Sequence, residues 1–393
     1  MALSELLFVS VLAVWAWYLL IVHGAALIYA HLKLHRSRQT DGSKTYSDDL
    51  PFVSLIKPLL GDDGSLRDNL TTFFQQDYPQ EKFEILFCVM DETDPAIEII
   101  NQLRKEYPKV QSRLFLGGKC IGVNPKINNM ITAFEESQYE FIWICDSSIM
   151  VSSDNLLEMV TCLDPGVGIV HQLPFTGSAK SFGAILDKVY FGTQHARVYL
   201  VANLLGRNCA NGMSWLIRKQ ALDEIGGLAA FSDFLAEDFF IGKTLWERGW
   251  RLVLCSLPAL QNRPMASLSV FKGRMVRWTR LRASMMPFPG LLEPLTECLF
   301  LGLLGSWAAS QLLDCNFYLF FLTHCFIWFL SDLFLLSHIE RGEWPSFVLV
   351  FLAWLLRETW TTPIFLESLC SQHVAWRGQL FQLHLGGRTI KLQ

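Results

Sequence analysis

The chain has 393 residues, 51% hydrophobic and 18% charged, with a mean hydropathy of +0.28 and a formal net charge of −4. That is too apolar for an ordinary soluble protein and too charged for a pure membrane bundle, so a soluble domain with membrane segments at both ends is expected. The slightly acidic balance gives no electrostatic case for nucleic acid, and the ten scattered cysteines contain no CxxC pair, so neither a zinc site nor a redox motif is supported.

The first element is Leu6 to Ala30, a run without Asp, Glu, Lys or Arg and long enough to cross ~30 Å of hydrocarbon. Basic residues follow it, at Lys33, Arg36 and Arg38. It also exceeds the roughly 7–15-residue apolar core of a signal peptide, so it reads as an uncleaved anchor. The positive-inside rule then puts the N-terminus in the lumen and the next domain in the cytosol.

Thr40 to about Arg282 reads as one α/β domain. Val53–Lys57 is a first buried strand ended by Pro58, Leu66–Phe74 a helix, Phe83–Met90 a second strand and Ala96–Tyr107 a helix. Arg113–Leu116 is a short strand, Ile127–Phe134 a helix and Glu140–Cys145 a central strand, with Gly168–His171 and Gly212–Arg218 as later strands. This alternation implies a largely parallel sheet with helices packed on it. There is no Gly-rich phosphate loop, which disfavours a Rossmann dehydrogenase or P-loop nucleotidase. Three apolar stretches follow, near Phe288–Ala309, Phe317–Ser337 and Trp344–Leu366; the hexapeptide His338–Glu343 separates the last two as a tight helical hairpin. If domain and tail share a side, an even number of crossings lies between them. The weakest candidate is Phe288–Ala309, broken by Glu293, Pro294 and Glu297, because carboxylates are costly at mid-bilayer. It is expected to be interfacial or re-entrant. Arg357 and Glu358 inside the last stretch either pair, line a polar pocket or mark the membrane boundary. The expected organisation is an anchor over 1–38, a cytosolic catalytic domain over 39–286, interfacial and transmembrane segments over 287–370 and a cytosolic tail over 371–393.

The chemistry-bearing residues punctuate these elements. Asp91 closes Ile85–Met90, Asp146 closes Phe141–Cys145, Glu237 and Asp238 sit together, and Arg274-Met275-Val276-Arg277-Trp278 precedes the apolar third. Carboxylates at the C-terminal ends of parallel strands are where α/β folds hold ligands. The set suggests a phosphorylated, metal-bound substrate handled beside a membrane. An inverting sugar transfer needs a stabilised leaving diphosphate, an in-line sugar carbon and a carboxylate that takes the acceptor proton. On that chemistry Asp146 is the candidate metal ligand and Asp238 the base, with Glu237 in support. Arg274 and Arg277 are partners for diphosphate, Trp278 an acceptor-stacking or pocket-wall residue, Asp91 an acceptor for base or ribose, and Lys126 a charge near phosphate. Singly, each has a plainer reading: a turn or helix cap for a lone Asp, a solvated face for Glu-Asp, an interfacial anchor for Arg-Trp, a surface position for Lys126. Jointly, in this order before a membrane segment, they are much less expected by chance.

The series Asp91, Asp146, Asp238, Arg274-x-x-Arg277-Trp278 resembles the D, D, D, (Q/R)xxRW signature of inverting GT-A glycosyltransferases, which include cellulose, chitin and hyaluronan synthases. Val53–Leu59, Asn124–Asn129, Trp143–Ser147, Tyr190–Thr193, Ala236–Phe240 and Arg274–Thr279 resemble more closely still the ceramide glucosyltransferase family, over nearly the whole chain and least from Gly378 onward. The resemblance implies a GT-A-type α/β fold, a mostly parallel sheet with helices on both faces. It implies glucose transfer from UDP-glucose to the primary hydroxyl of ceramide with inversion, at the cytosolic face of the Golgi membrane. It places Asp91 at the nucleotide, Asp146 at diphosphate and metal, Asp238 as proton acceptor, and the Arg-Trp cluster at the diphosphate and the acceptor entrance. His195 lies in a matching stretch and is an acceptor-side candidate, or a polar residue on a partly buried helix. One departure is Asp146-Ser147-Ser148 in place of Asp-x-Asp. A single carboxylate is a weaker metal site, so Mg²⁺ or Mn²⁺ would lean on phosphate oxygens and water. Beside UDP-glucose and ceramide, membrane lipid is an expected partner, with Arg280 and Arg282 placed for anionic headgroups. The alternatives are a transferase using dolichyl phosphate, a processive polysaccharide synthase, for which the C-terminal crossings look too few, and a transporter or scaffold with an inactive sugar-nucleotide fold.

Overall fold

The computed structural model describes residues 3–35, 50–340 and 342–392. Arg36 and Arg38, the domain start at Thr40 and Arg341 lie outside the described residues.

The strands in chain order are β1 (Val53–Leu59), β2 (Phe83–Val89), β3 (Ser112–Leu116), β4 (Phe141–Cys145), β5 (Ile149–Met150), β6 (Val167–His171) and β7 (Pro174–Thr176). They continue with β8 (Ser214–Arg218), β9 (Arg251–Leu254), β10 (Ala259–Gln261), β11 (His373–Trp376), β12 (Gln379–Leu383) and β13 (Thr389–Leu392). Seven form the main sheet in the order β3-β2-β1-β4-β8-β6-β9. All its pairings are parallel except those of β8, which runs antiparallel to both β4 and β6. β1, β2 and β4 are buried along their whole length. Their alternate residues feed two cores, as the pleat dictates: Ile85 and Phe87 face one, Leu86 and Cys88 the other. The helices Leu66–Phe74 and Ala96–Glu106 contribute to the first core and Pro125–Glu135 and Glu237–Glu247 to the second, so helices cover both faces. Pro58 does not end β1, contrary to expectation. β4 pairs with β1 only as far as Ile56, so the proline sits where the strand has one neighbour and its missing N–H is tolerated. A small sheet, β5-β10-β7, extends the C-terminal end of β4.

Among the described residues, three helices are long and apolar enough to cross a membrane: Leu3–Lys33, Phe317–Ile339 and Phe347–Leu369. The stretch at Phe288–Ala309 breaks into the helix Pro287–Leu292, a 3₁₀ turn Glu293–Thr296 and the helix Cys298–Leu312, bent by 65°. Small residues let these helices close up. A Cβ on Gly302 would lie 2.4 Å from the His324 ring and one on Gly305 2.6 Å from the Trp15 ring. Trp15 Nε1 donates to His324 Nδ1 at 3.0 Å.

Within 371–393, expected as a cytosolic tail, residues 373–392 fold into an antiparallel meander, β11-β12-β13. Val374, Phe381 and Leu383 bury against Leu235. Thr389 N–H donates to Asp233 O at 3.1 Å, Gly386 N–H to Ser284 O at 2.9 Å, and Arg280 grips Glu367, Ser368 and His373 carbonyls.

Candidate active site

The C-terminal ends of β1 and β4, the helix Leu268–Met285 and the β11–β12 turn surround a cleft of about 700 Å³. Asp146 lies on its wall, at the end of β4. Its main chain is clamped on both sides: the N–H donates to Met213 O at 2.9 Å, and Lys57 Nζ donates to the Asp146 carbonyl at 2.7 Å.

Beside Asp146 is a buried charge cluster. Lys126 Nζ lies 2.9 Å from Asp146 Oδ1 and 3.2 Å from Glu237 Oε1, and donates to Gly212 O at 2.9 Å. Burial opposes the ammonium charge, but Asp146 and Glu237 outweigh it and raise the pKa of Lys126. Burial likewise raises the Glu237 carboxyl, against the pull of Lys126. Lys126 is thus an internal counter-ion, not the surface residue its plainer reading suggested. The local sequence explains its position. Asn124 caps the helix Pro125–Glu135, its Oδ1 accepting from Lys126 N–H at 2.8 Å, with Pro125 at the first helical turn. The same Asn124 donates Nδ2 to Glu237 Oε2 at 2.8 Å. One capping residue therefore ties the Asn-Pro-Lys motif to the Glu-Asp motif.

Glu237 and Asp238 open the helix Glu237–Glu247. Both Glu237 oxygens are engaged, and the side chain is buried. Asp238 is half-exposed; its Oδ2 accepts from Gly212 N–H at 2.6 Å and its Oδ1 from Phe239 N–H at 2.8 Å. Gly212 has no room for a side chain: a Cβ would stand 3.0 Å from Asp238 Cβ and 3.2 Å from Lys126 Nζ.

The two arginines of the Arg-x-x-Arg-Trp motif differ. Arg274 borders the cleft but is buried and committed: it pairs with Asp187 and donates to Gln261 Oε1 at 3.0 Å. Arg277 lines the cleft and, among the described residues, has no carboxylate partner. Burial and the nearby guanidinium groups of Arg274, Arg263 and Arg377 push it down to about 10. Trp278 packs against Phe191 with ring centroids 5.8 Å apart and lies beneath the Arg274 guanidinium at 5.2 Å. His195 is half-buried among Tyr190, Phe191 and Tyr199. Burial, with Arg282 and Arg274 adding, pushes its imidazole down to about 3. It is a neutral aromatic-walled ring.

Asp91 stands apart from this group. It ends β2 in an exposed turn, its Oδ1 accepting from Thr93 N–H at 2.8 Å and Thr93 Oγ1 at 2.7 Å, which lower its pKa. Neither it nor Asp238 borders the cleft itself; Asp238 reaches it through the Gly212–Lys126–Asp146 contacts. Asn124, Gly212, Asp187, Arg263 and Arg377 were not singled out from the sequence. Only Asn124, an Asn before a Pro at a helix start, carried a readable signal.

For a divalent cation the candidate ligand at the strand end is Asp146, with Asp63 and Glu367 elsewhere on the cleft wall. Asp146 is partly exposed with Oδ1 held by Lys126, leaving one carboxylate edge toward the cleft. That fits an ion completed by phosphate oxygens and water, not a cage built by the protein.

A carboxylate cluster backed by a buried lysine, and unpaired arginines across a cleft beside membrane-length helices, define a membrane-associated transferase handling an anionic donor. The glycosyl transferase family 21 profile matches residues 18–389, and the chain belongs to that family. It is 38% identical over 380 residues to ceramide glucosyltransferase 3 of Caenorhabditis elegans, covering 96% of this chain and 81% of that one. It is 37% identical to ceramide glucosyltransferase 1 of the same organism, over 99% of this chain and 81% of the relative. Among solved structures, a mannosyltransferase from Pyrobaculum calidifontis in complex with GDP-Man and Mn²⁺ superposes with a TM-score of 0.49 at 17% identity, covering 92% of this chain and 98% of that one.

Proposed function

We propose that this enzyme transfers glucose from UDP-glucose to the primary hydroxyl of ceramide, with inversion, giving glucosylceramide. The observation that carries the reading is the buried Lys126, which joins Asp146 on the wall of the guanidinium-lined cleft to the Glu237-Asp238 turn, in a chain with ceramide glucosyltransferase relatives.

Asp238 takes the hydroxyl proton as the oxygen attacks the anomeric carbon. What favours it over Glu237 is access. Glu237 is buried with both oxygens occupied, so it holds Lys126 in place, whereas Asp238 is fixed by two backbone N–H groups and keeps an open lone pair on each oxygen. The leaving diphosphate is met by Arg277, whose guanidinium suits bidentate phosphate binding. Asp91 contacts the nucleotide from its exposed turn. Arg274 acts through position: its pair with Asp187 fixes the helix that carries Arg277 and Trp278. A Mg²⁺ or Mn²⁺ ion on Asp146 would neutralise part of the diphosphate charge.

The acceptor comes from the membrane side. A narrow crevice of about 40 Å³ runs between Tyr190, Phe271, Met275, Trp360, Ile364 and Phe365. Gln194, Arg282, Glu293 and Arg357 line it as well, so it pairs apolar walls with charge at the domain–helix seam, too small as it stands for a lipid chain, and Tyr190 links it to His195 and Trp278. The C-terminal meander docks on Asp233, Leu235 and Ser284 of the α/β domain, which supports a tail and domain on the same side of the membrane. The hairpin Phe317–Ile339/Phe347–Leu369 already supplies an even number of crossings, which supports the bent 287–312 segment as re-entrant. We read the N-terminus as lumenal, the domain as cytosolic and the membrane as that of the Golgi.

The test is transfer in detergent-lipid micelles with labelled UDP-glucose and ceramide, for the wild type and D238N. Labelled glucosylceramide from the wild type establishes donor and acceptor. D238N is expected to lose about 10²–10⁴-fold in kcat while binding UDP normally. A D238N enzyme within a few-fold of wild type moves the base elsewhere.

A further inference from the structure

The turn joining β11 and β12 is Arg377-Gly378, flanked by the pair Trp376 and Gln379. Both turn residues have positive φ, +50° at Arg377 and +73° at Gly378. Two-residue hairpin turns of this kind demand the left-handed region at both positions, and Gly, Asn or Asp meet that demand most easily. An arginine there is strained, and such strain is characteristic of functional sites.

The side chain goes where the strain would be useful. Arg377 lines the catalytic cleft with Arg263 and Arg277. Among the described residues none of the three has a carboxylate partner, while Arg274 is taken by Asp187 and Arg280 by main-chain carbonyls. Three guanidinium groups gathered without counter-ions repel one another, and Arg277 feels both of the others. An anion bearing two or more charges would complete the group. Arg377 is also within electrostatic reach of Asp146 and Glu237, so the anion would lie next to the carboxylate cluster. The hairpin is no loose flap. β13 bonds to Asp233, Phe234 bridges Arg388, and Gly387 packs so close to Phe240 that a Cβ would stand 2.4 Å from its ring.

We infer that Arg377 is a donor-binding residue, and that the C-terminal meander is a wall of the active site whose turn delivers a guanidinium to the diphosphate of the nucleotide sugar opposite Arg277. This rests on the reading of the cleft as the nucleotide-sugar site.

The full-length protein in detergent-lipid micelles tests it. R377G relieves the backbone strain and removes the guanidinium. It is expected to melt at or above the wild-type temperature, to bind UDP and inorganic pyrophosphate about tenfold or more weakly, since a hydrogen bond to a charged group is worth about that, and to raise KM for UDP-glucose but not for ceramide. R377K keeps a charge and should recover part of the loss. R377Q repeats the measurement if glycine unravels the hairpin. UDP and pyrophosphate affinities within twofold of wild type in a folded variant overturn the inference. If the wild type makes no glucosylceramide yet R377G still weakens pyrophosphate binding, the function proposed above falls and the role of Arg377 stands.

Discussion

At the scale of single residues, the site is governed by how few atoms separate its charged groups. Gly212 is the clearest case. Its N–H donates to Asp238, its C=O accepts from Lys126, and its α-carbon faces both side chains. One methyl group added there must displace the base, the lysine or both. The neighbours need to give by only a few tenths of an ångström, so Gly212→Ala is expected to lower kcat by less than the about 10²-fold that a misplacement of about 1 Å costs, while the melting temperature moves little. Steady-state kinetics beside a thermal melt of the same preparation check this. A variant with wild-type kcat would show that Asp238 tolerates movement and is not the positioned base. The same crowding explains why Lys126 was hard to read from the sequence. Its burial depends on β4, the Gly212 loop and the Glu237 helix converging on it, none of which is adjacent in the chain.

At the scale of elements, the paired helices Phe182–Tyr190 and Ala196–Leu204, joined by a wide π-helical turn, carry an acid sensitivity. His195 in that turn and His171 on β6, bonded to Tyr199 OH at 2.6 Å, are both pushed down to about 3 by burial. In the unfolded chain they titrate near the ordinary value of 6.5. Below that pH the unfolded state takes up protons that the folded state refuses. The stability these residues contribute is thus complete above pH 6.5 and is lost as the pH falls toward 3, with a slope of at most about 1.4 kcal/mol per pH unit for each group. H195Q should flatten the melting temperature between pH 7 and pH 5 relative to wild type. Parallel curves would mean His195 is solvated and titrates normally. Elements such as these were legible because their signals are local. The helices Leu66–Phe74 and Pro125–Glu135 and strands β2 and β4 follow periodicity and turn residues within a residue or two of expectation. The antiparallel direction of β8 and the meander at 373–392 were not legible, because strand direction and sheet partners are fixed by contacts distant in sequence. For Asp91 the motif located a strand end, and the fold sets that end in an exposed turn which, like Asp238, is not part of the cleft wall.

At the scale of the whole molecule, catalytic domain and membrane helices are joined through buried charge. Asp332 in the helix Phe317–Ile339 accepts from Arg197 of the catalytic domain at 2.6 Å through Oδ1. Through Oδ2 it accepts from Trp354 at 2.9 Å and Arg357 at 3.2 Å on the following helix. Arg357 also pairs with Glu358, and Glu297 at the 65° bend lies 3.6 Å from both arginines. Two buried carboxylates, Asp332 and Glu297, thus tie Arg197, the bend and the last two membrane-length helices together. A surface salt bridge would contribute little, but removing one partner of a buried pair typically costs about 3–5 kcal/mol because the other charge is stranded. Asp332→Ala leaves an indole N–H without its acceptor and leaves Arg197 with only Glu297 at 3.6 Å, so it should lower the melting temperature in detergent more than removal of the exposed pair Arg67–Glu106 by E106A. Asp332→Asn, which keeps an acceptor but no charge, should fall between. If D332A melted like E106A, domain and membrane helices would be held by apolar packing alone. The crevice beside Trp360 would then owe its shape to lipid rather than to this network, because Arg357 lines that crevice and is positioned by Asp332.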